Sequence, residues 1–160
     1  MKKLILFLDV DGVLNNYSWA ANYLTENGYS PFRDDILCPL NLTNFAFLFN
    51  RLKRDYEVKV VLSSSWRWYE ETYSSLTNQL APFNIAIDDT TDKEINKTLS
   101  REDEIERYLE SHPLDTEDRI LILDDEPMRR LTDYHIWTSL ACGLTMEMVE
   151  EALVKLNGSK

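Results

Sequence analysis

The run Leu4-Ile5-Leu6-Phe7-Leu8, closed by Asp9-Val10-Asp11-Gly12, constrains the fold more than any other stretch of the chain. Five successive apolar residues without alternation suit a strand covered on both faces, which is the environment of a parallel sheet. The lysines ahead of this run give it a superficial likeness to a signal peptide. It breaks at Asp9, however, and no small-residue cleavage site follows. A membrane span needs about 20 apolar residues in a row, and no stretch of the sequence supplies them.

Shorter apolar runs recur at 57–63, 84–88, 119–124 and 134–138, separated by stretches of helical period. That alternation predicts an α/β chain with a parallel sheet between two helical layers, a three-layer Rossmann-like architecture. Phe45, Leu48, Phe49 and Leu52 mark a helix before the second strand. Ile105, Tyr108 and Leu109 mark one before the fourth, with Ser100 as its N-cap and Asp103 as a first-turn acid. Thr145 caps a last helix whose apolar stripe is Val149, Ala152, Leu153 and Leu156. With 160 residues, 44% of them hydrophobic, the expectation is one domain over 1–160. Residues 15–39 fit neither period: Tyr17, Trp19, Tyr23, Tyr29 and Phe32 accompany Gly28 and two prolines. They read as a partly helical flap over the sheet edge, too short for a domain of its own.

The net charge of −11 bears on partners. Gripping duplex nucleic acid takes a basic stripe, and the cations here form only short clusters at Arg51-Lys53-Arg54 and Arg129-Arg130. Extended nucleic-acid binding is therefore disfavoured, whereas a small nucleotide or a phosphorylated end remains compatible with a local metal and one or two cations. Cys38 and Cys142 lie far apart in no metal-ligand spacing. They suggest a reducing, cytoplasmic setting with neither a disulfide framework nor a zinc site.

In open parallel sheets, ligands bind beyond the carboxyl ends of the strands. This chain puts Asp9 and Asp11 after the first strand, Ser63-Ser64-Ser65 after the second and Asp124-Asp125 after the fourth. Any one of these acids could simply cap a helix. Four carboxylates on one rim are costly unless something neutralises them. Oxygen ligands without histidine or cysteine select magnesium over zinc.

These residues resemble a known family. Leu6-Phe7-Leu8-Asp9-Val10-Asp11-Gly12-Val13-Leu14 is similar to the first motif of the haloacid dehalogenase (HAD) superfamily. Val60-Val61-Leu62-Ser63 is similar to its second motif and Ile120-Leu121-Ile122-Leu123-Asp124-Asp125 to its fourth, in the same order. Ser63-Ser64-Ser65-Trp66-Arg67, with Gly143-Leu144-Thr145, resembles a compact subgroup, the HAD domain of Swiss Army Knife RNA-repair-like proteins. The resemblance implies the strand order 5-4-1-2-3, with a short cap after the first strand. It also implies a magnesium-dependent phosphatase acting through an aspartyl-phosphate. Asp9 would be the nucleophile and Asp11 the general acid and base. Ser63, or Ser64 in the alternative register, would hydrogen-bond the phosphoryl group. Asp9, the Asp11 backbone carbonyl, and Asp124 or Asp125 would hold the magnesium. The third-motif cation would come from Lys93, Lys97 or Arg101. Arg101 is favoured over Lys97 because a helix start after the third-strand loop faces the same rim.

Trp66-Arg67-Trp68-Tyr69 could stack a base, but the same residues begin the helix after the second strand, where aromatics pack on the sheet. Arg67 is a better phosphate candidate than either tryptophan, and His112 and His135 receive no role. The leading expectation is hydrolysis of a phosphate monoester on a nucleotide, a nucleotide-derived signal or a phosphorylated nucleic-acid end. A non-catalytic module that sequesters a phosphorylated nucleotide-like ligand is the alternative, although it would not need Asp11. A receiver-like signalling domain would reverse the order of paired and single acids and end its fifth strand in lysine.

Overall fold

A computed structural model describes residues 1–93 and 98–158. Its sheet is built from β1 (Lys2–Leu8), β2 (Tyr56–Leu62), β3 (Asp89–Thr90), β4 (Arg119–Asp124) and β5 (His135–Trp137). The strand order is β3-β2-β1-β4-β5, with every pair parallel. This is the expected order read from the opposite edge. The helices are α1 (Tyr17–Asn27), α2 (Pro39–Leu52), α3 (Glu70–Leu80), α4 (Arg101–Ser111) and α5 (Met146–Gly158). No helix among the described residues is long and apolar enough to cross a membrane.

The unbroken apolar run of β1 splits between two faces, as strand geometry requires. Leu4, Leu6 and Leu8 join Val60, Leu62, Leu121 and Leu123 in a core shared with α2, α3 and α5. Ile5 and Phe7 join Val61 and Ile122 on the other face, packed with Ile105 and Tyr108 of α4 and with Met128 and Leu131. Ser100 and Asp103 form a reciprocal capping box at the start of α4. Thr145 Oγ1 accepts from the Met148 N–H ahead of α5.

Three expectations about boundaries need correction. The third strand is not 84–88. A 3₁₀ turn at Ala81–Phe83 ends with Asn84 in a left-handed conformation, φ 58°. Ile85 and Ile87 then pack into the core outside the ladder. Val60 N–H donates to the Asp88 side chain at 2.8 Å, and pairing begins only at Asp89. The helix after β2 begins at Glu70, because Ser65–Trp68 form a 3₁₀ turn. The fifth strand is trimmed to His135–Trp137, with Tyr134 ending another such turn.

Between β1 and α2, Asn16 caps α1 by accepting from the Trp19 N–H at 2.8 Å, and Gly28 ends it at φ 82°. A 3₁₀ turn at Pro31–Asp34 follows. Cys38 N–H then donates to the Leu14 carbonyl, which brings the chain back beside the loop after β1.

Candidate active site

Strand register assembles the site. Leu8 pairs with Leu62 on one side and Leu123 on the other, so the next residues of all three strands emerge together. Backbone bonds carry the alignment one step further: Asp9 N–H donates to Leu123 O, and Ser63 N–H to Leu8 O, each at 3.0 Å. Asp9 is 3% exposed and Asp124 fully buried. Carboxylate oxygens of Asp9, Asp124 and the half-buried Asp125 lie within 4.8 Å of one another.

Arg101, the first residue of α4, enters this group. Its guanidinium lies 3.1 Å from Asp9 Oδ1, 2.8 Å from Asp124 Oδ2 and 3.8 Å from Glu126. Burial opposes its charge, but Asp9 and Asp124 more than compensate, so its proton is held above the ordinary arginine range. The cation is still outnumbered. Burial and then the charge of Asp9 push the Asp124 carboxyl up to about 8. Burial, a hydrogen bond with Asp9 and the charge of Asp9 push Asp125 up to about 7. Such a cluster of oxygen donors, holding more negative charge than one guanidinium offsets, fits a divalent hard cation.

The Asp11 carboxylate stands outside that cluster. Asn15 Nδ2 donates to it at 2.8 Å, and Trp66 Nε1 is 3.3 Å from each of its oxygens. Asn15 Oδ1 also accepts from the Gly12 N–H at 3.0 Å. Gly12 has φ 77°, and a Cβ there would lie 2.9 Å from Asp125. Only glycine lets the loop after β1 pass this close to the acids of β4.

The serine run divides its labour. Ser64 Oγ accepts from the Trp66 N–H at 3.2 Å and caps the following turn. Ser63 Oγ is buried with no hydrogen-bond partner among the described residues. Arg67 does not face a phosphate position. It donates to the carbonyls of Ser63 and Ser64, each at 2.8 Å, and to that of Asp92, and it pairs with Glu104 at 2.6 Å. Lys93 is exposed, and Lys97 lies outside the described residues.

Sequence reasoning missed five participants. Trp66 and Asn15 orient Asp11; the signal for Asn15 was an amide one helical turn beyond the acid, just past a glycine. Glu102 and Glu104 belong to the run Arg101-Glu102-Asp103-Glu104, which reads as a solvated helix start. Both are buried. Glu102 accepts from the N–H groups of Arg129, Arg130 and Leu131. His135, given no role, is buried with Nε2 2.9 Å from the Asp124 carbonyl, and burial pushes its pKa down.

A cavity of about 490 Å³ opens beside Asp11 and Trp66. A larger one, about 600 Å³, lies along the early residues of β1 and β2, among Lys3, Ile5, Glu57 and Lys59. It is remote from the strand-end acids, whereas the smaller cavity borders Asp11.

No curated protein and no solved structure is significantly similar to the chain. Residues 5–149 match the family described as the HAD domain in Swiss Army Knife RNA repair proteins. That match begins within β1, takes in Asp9, Asp11, Ser63, Arg101, Asp124 and Asp125, and stops just inside α5. With its parallel sheet and strand-end acids, the chain belongs to this family of HAD domains and is, in general terms, a HAD-type hydrolase.

Proposed function

We propose that the chain is a magnesium-dependent phosphohydrolase that cleaves a phosphate monoester through a phosphorylated Asp9. The observation that carries this reading is the convergence of Asp9, Asp124 and Asp125 on Arg101 at the carboxyl ends of β1 and β4. Side chains of Asp9, Asp124 and Asp125, with the Asp11 backbone carbonyl, would hold the ion. When bound, magnesium offsets the repulsion between these carboxylates and the substrate phosphate.

A carboxylate oxygen of Asp9 attacks phosphorus while the bond to the leaving oxygen breaks, and Asp11 gives that oxygen a proton. Water then attacks the aspartyl-phosphate, Asp11 takes up its proton, and the Asp9 oxygen–phosphorus bond opens to release phosphate. Asn15 and Trp66 keep Asp11 aimed for both transfers. Ser63 Oγ, lacking another partner among the described residues, donates to a phosphoryl oxygen. Arg101 holds Asp9 in place and neutralises charge around the transferred group.

The substrate is a small phosphorylated compound of nucleotide type. A net charge of −11 disfavours a polyanionic partner, while Tyr17 and Phe32 beside the site suit a planar leaving group. The free thiols of Cys38 and Cys142 suit a cytoplasmic setting.

Hydrolysis of an aryl phosphate with and without magnesium, beside Asp9→Asn, tests the reaction. Turnover should require the cation and fall on the order of a thousandfold in the variant. Equal rates in the variant, or in chelator, would rule this function out.

A further inference from the structure

The two amides that line the cavity beside Asp11 are both engaged. Asn15 serves Gly12 and Asp11, and Asn16 serves Trp19 and Asn41. Asp35 differs. Its carboxylate has no hydrogen-bond partner among the described residues, although it lines the same cavity as Asp11, Tyr17, Phe32, Trp66 and Leu140.

The backbone of Asp35 is nonetheless firmly held. It adopts a left-handed conformation, φ 54° and ψ 35°, which is uncommon away from glycine. Its N–H donates to the Phe32 carbonyl. Its own carbonyl accepts from Gln79 Nε2 at 2.8 Å and Ser75 Oγ at 3.2 Å, both on α3. Partial burial and the charges of Asp11, Asp34 and Glu71 push the Asp35 carboxyl up. A carboxylate in that setting gains from hydrogen-bond donors brought by a ligand. Beside it, Tyr17 is 58% exposed and meets Phe32 edge-on at 5.9 Å, so two aromatic rings border the cavity.

We infer that this cavity takes the guanine base of a small guanosine phosphate monoester, and that Asp35 selects it through the base's paired donors. This rests on the hydrolase reading, in which the phosphate sits at Asp9 and the rest of the substrate extends past Asp11. A cavity of about 490 Å³ is within the range of small-ligand sites. A carboxylate only accepts hydrogen bonds. Guanine presents two adjacent donors, N1–H and the N2 amine, on one edge. Adenine and cytosine present an amine beside an acceptor nitrogen, and uracil presents one N–H between two carbonyls. Each of those acceptors would repel the carboxylate.

Binding of guanosine, inosine and adenosine 5′-monophosphates, measured with magnesium on the Asp9→Asn chain to prevent turnover, tests the inference. Guanosine monophosphate should bind about tenfold or more tightly than adenosine monophosphate. Inosine monophosphate, which lacks the N2 amine, should fall between them. Adding Asp35→Asn should erase the ranking, and asparagine tolerates the left-handed backbone, so the turn survives. Equal affinities, or a ranking that persists in the double variant, would overturn the assignment. The ranking on the Asp9→Asn chain needs no substitution at Asp35, so equal affinities there overturn the assignment even if the double variant misfolds. Preference without aryl-phosphate turnover would leave the base site standing and remove the hydrolase reading. Turnover without preference would do the reverse.

Discussion

Ser63 is fully buried, and its hydroxyl has no partner among the described residues. Such a group weakens a fold, because it gives up water without regaining a hydrogen bond. Ser63→Ala should therefore leave the melting temperature unchanged or raise it, while kcat/KM for a phosphate monoester falls about tenfold to a hundredfold. A matching loss of stability and activity would make Ser63 structural instead. The strand-end acids were legible because the register of a parallel sheet puts the residues after Leu8 and Leu123 side by side. The choice between Ser63 and Ser64 was not. It depends on which hydroxyl caps the turn at Ser65–Trp68, and a run of three identical residues carries no such information. The direction of Arg67 was not legible for a related reason: its partner Glu104 is 37 positions away, on another element.

At the scale of elements, the first turn of α4 ties the site together. Arg101 reaches Asp9 and Asp124, Glu102 gathers the backbone of 129–131, and Glu104 anchors Arg67, which grips the carbonyls of Ser63 and Ser64. Burial pushes the Glu104 carboxyl up and the Arg67 guanidinium down, so each charge depends on the other. Glu104→Ala should destabilise the fold by about 3–5 kcal/mol, the usual cost of stranding one buried charge. The pair Arg67→Met with Glu104→Leu should recover most of that stability. Its activity should stay low, because the loop carrying Ser63 has lost its anchor. Thermal melts beside aryl-phosphate kinetics separate the two effects, and full recovery of rate would deny Arg67 a positioning role. The capping box of α4 and the stripe of α5 were readable because both are local patterns. β3 was misplaced because Ile85 and Ile87 are apolar for the core's sake, and nothing local reveals that Asp88 offers its side chain to Val60 in place of a strand carbonyl.

Across the whole molecule, a bound cation would compete with protons for the same carboxylates. Asp124 and Asp125 release their protons near 8 and 7 in the folded chain, against 3.8 for an ordinary aspartate. Between about pH 4 and pH 8 the cation-free folded state holds more protons than the unfolded state, so these two groups make stability fall as pH rises. Glu102, Asp89, Asp103 and Asp118 are shifted the other way. For these four the unfolded state binds more protons, so what they contribute is present above about pH 4 and is lost as pH drops below it. The cation-free protein should thus be most stable in mildly acidic solution. Under the proposed function, a magnesium ion seated among Asp9, Asp124 and Asp125 would displace the protons that stabilise this cluster and would stabilise only the folded state. Saturating magnesium should therefore raise Tm more at pH 8 than at pH 5, and Asp124→Asn should flatten both the pH slope and the magnesium increment. Melts in chelator and in magnesium at the two pH values measure this directly. An increment that is the same at both, or that survives Asp124→Asn, would mean the cation binds somewhere other than the ends of β1 and β4.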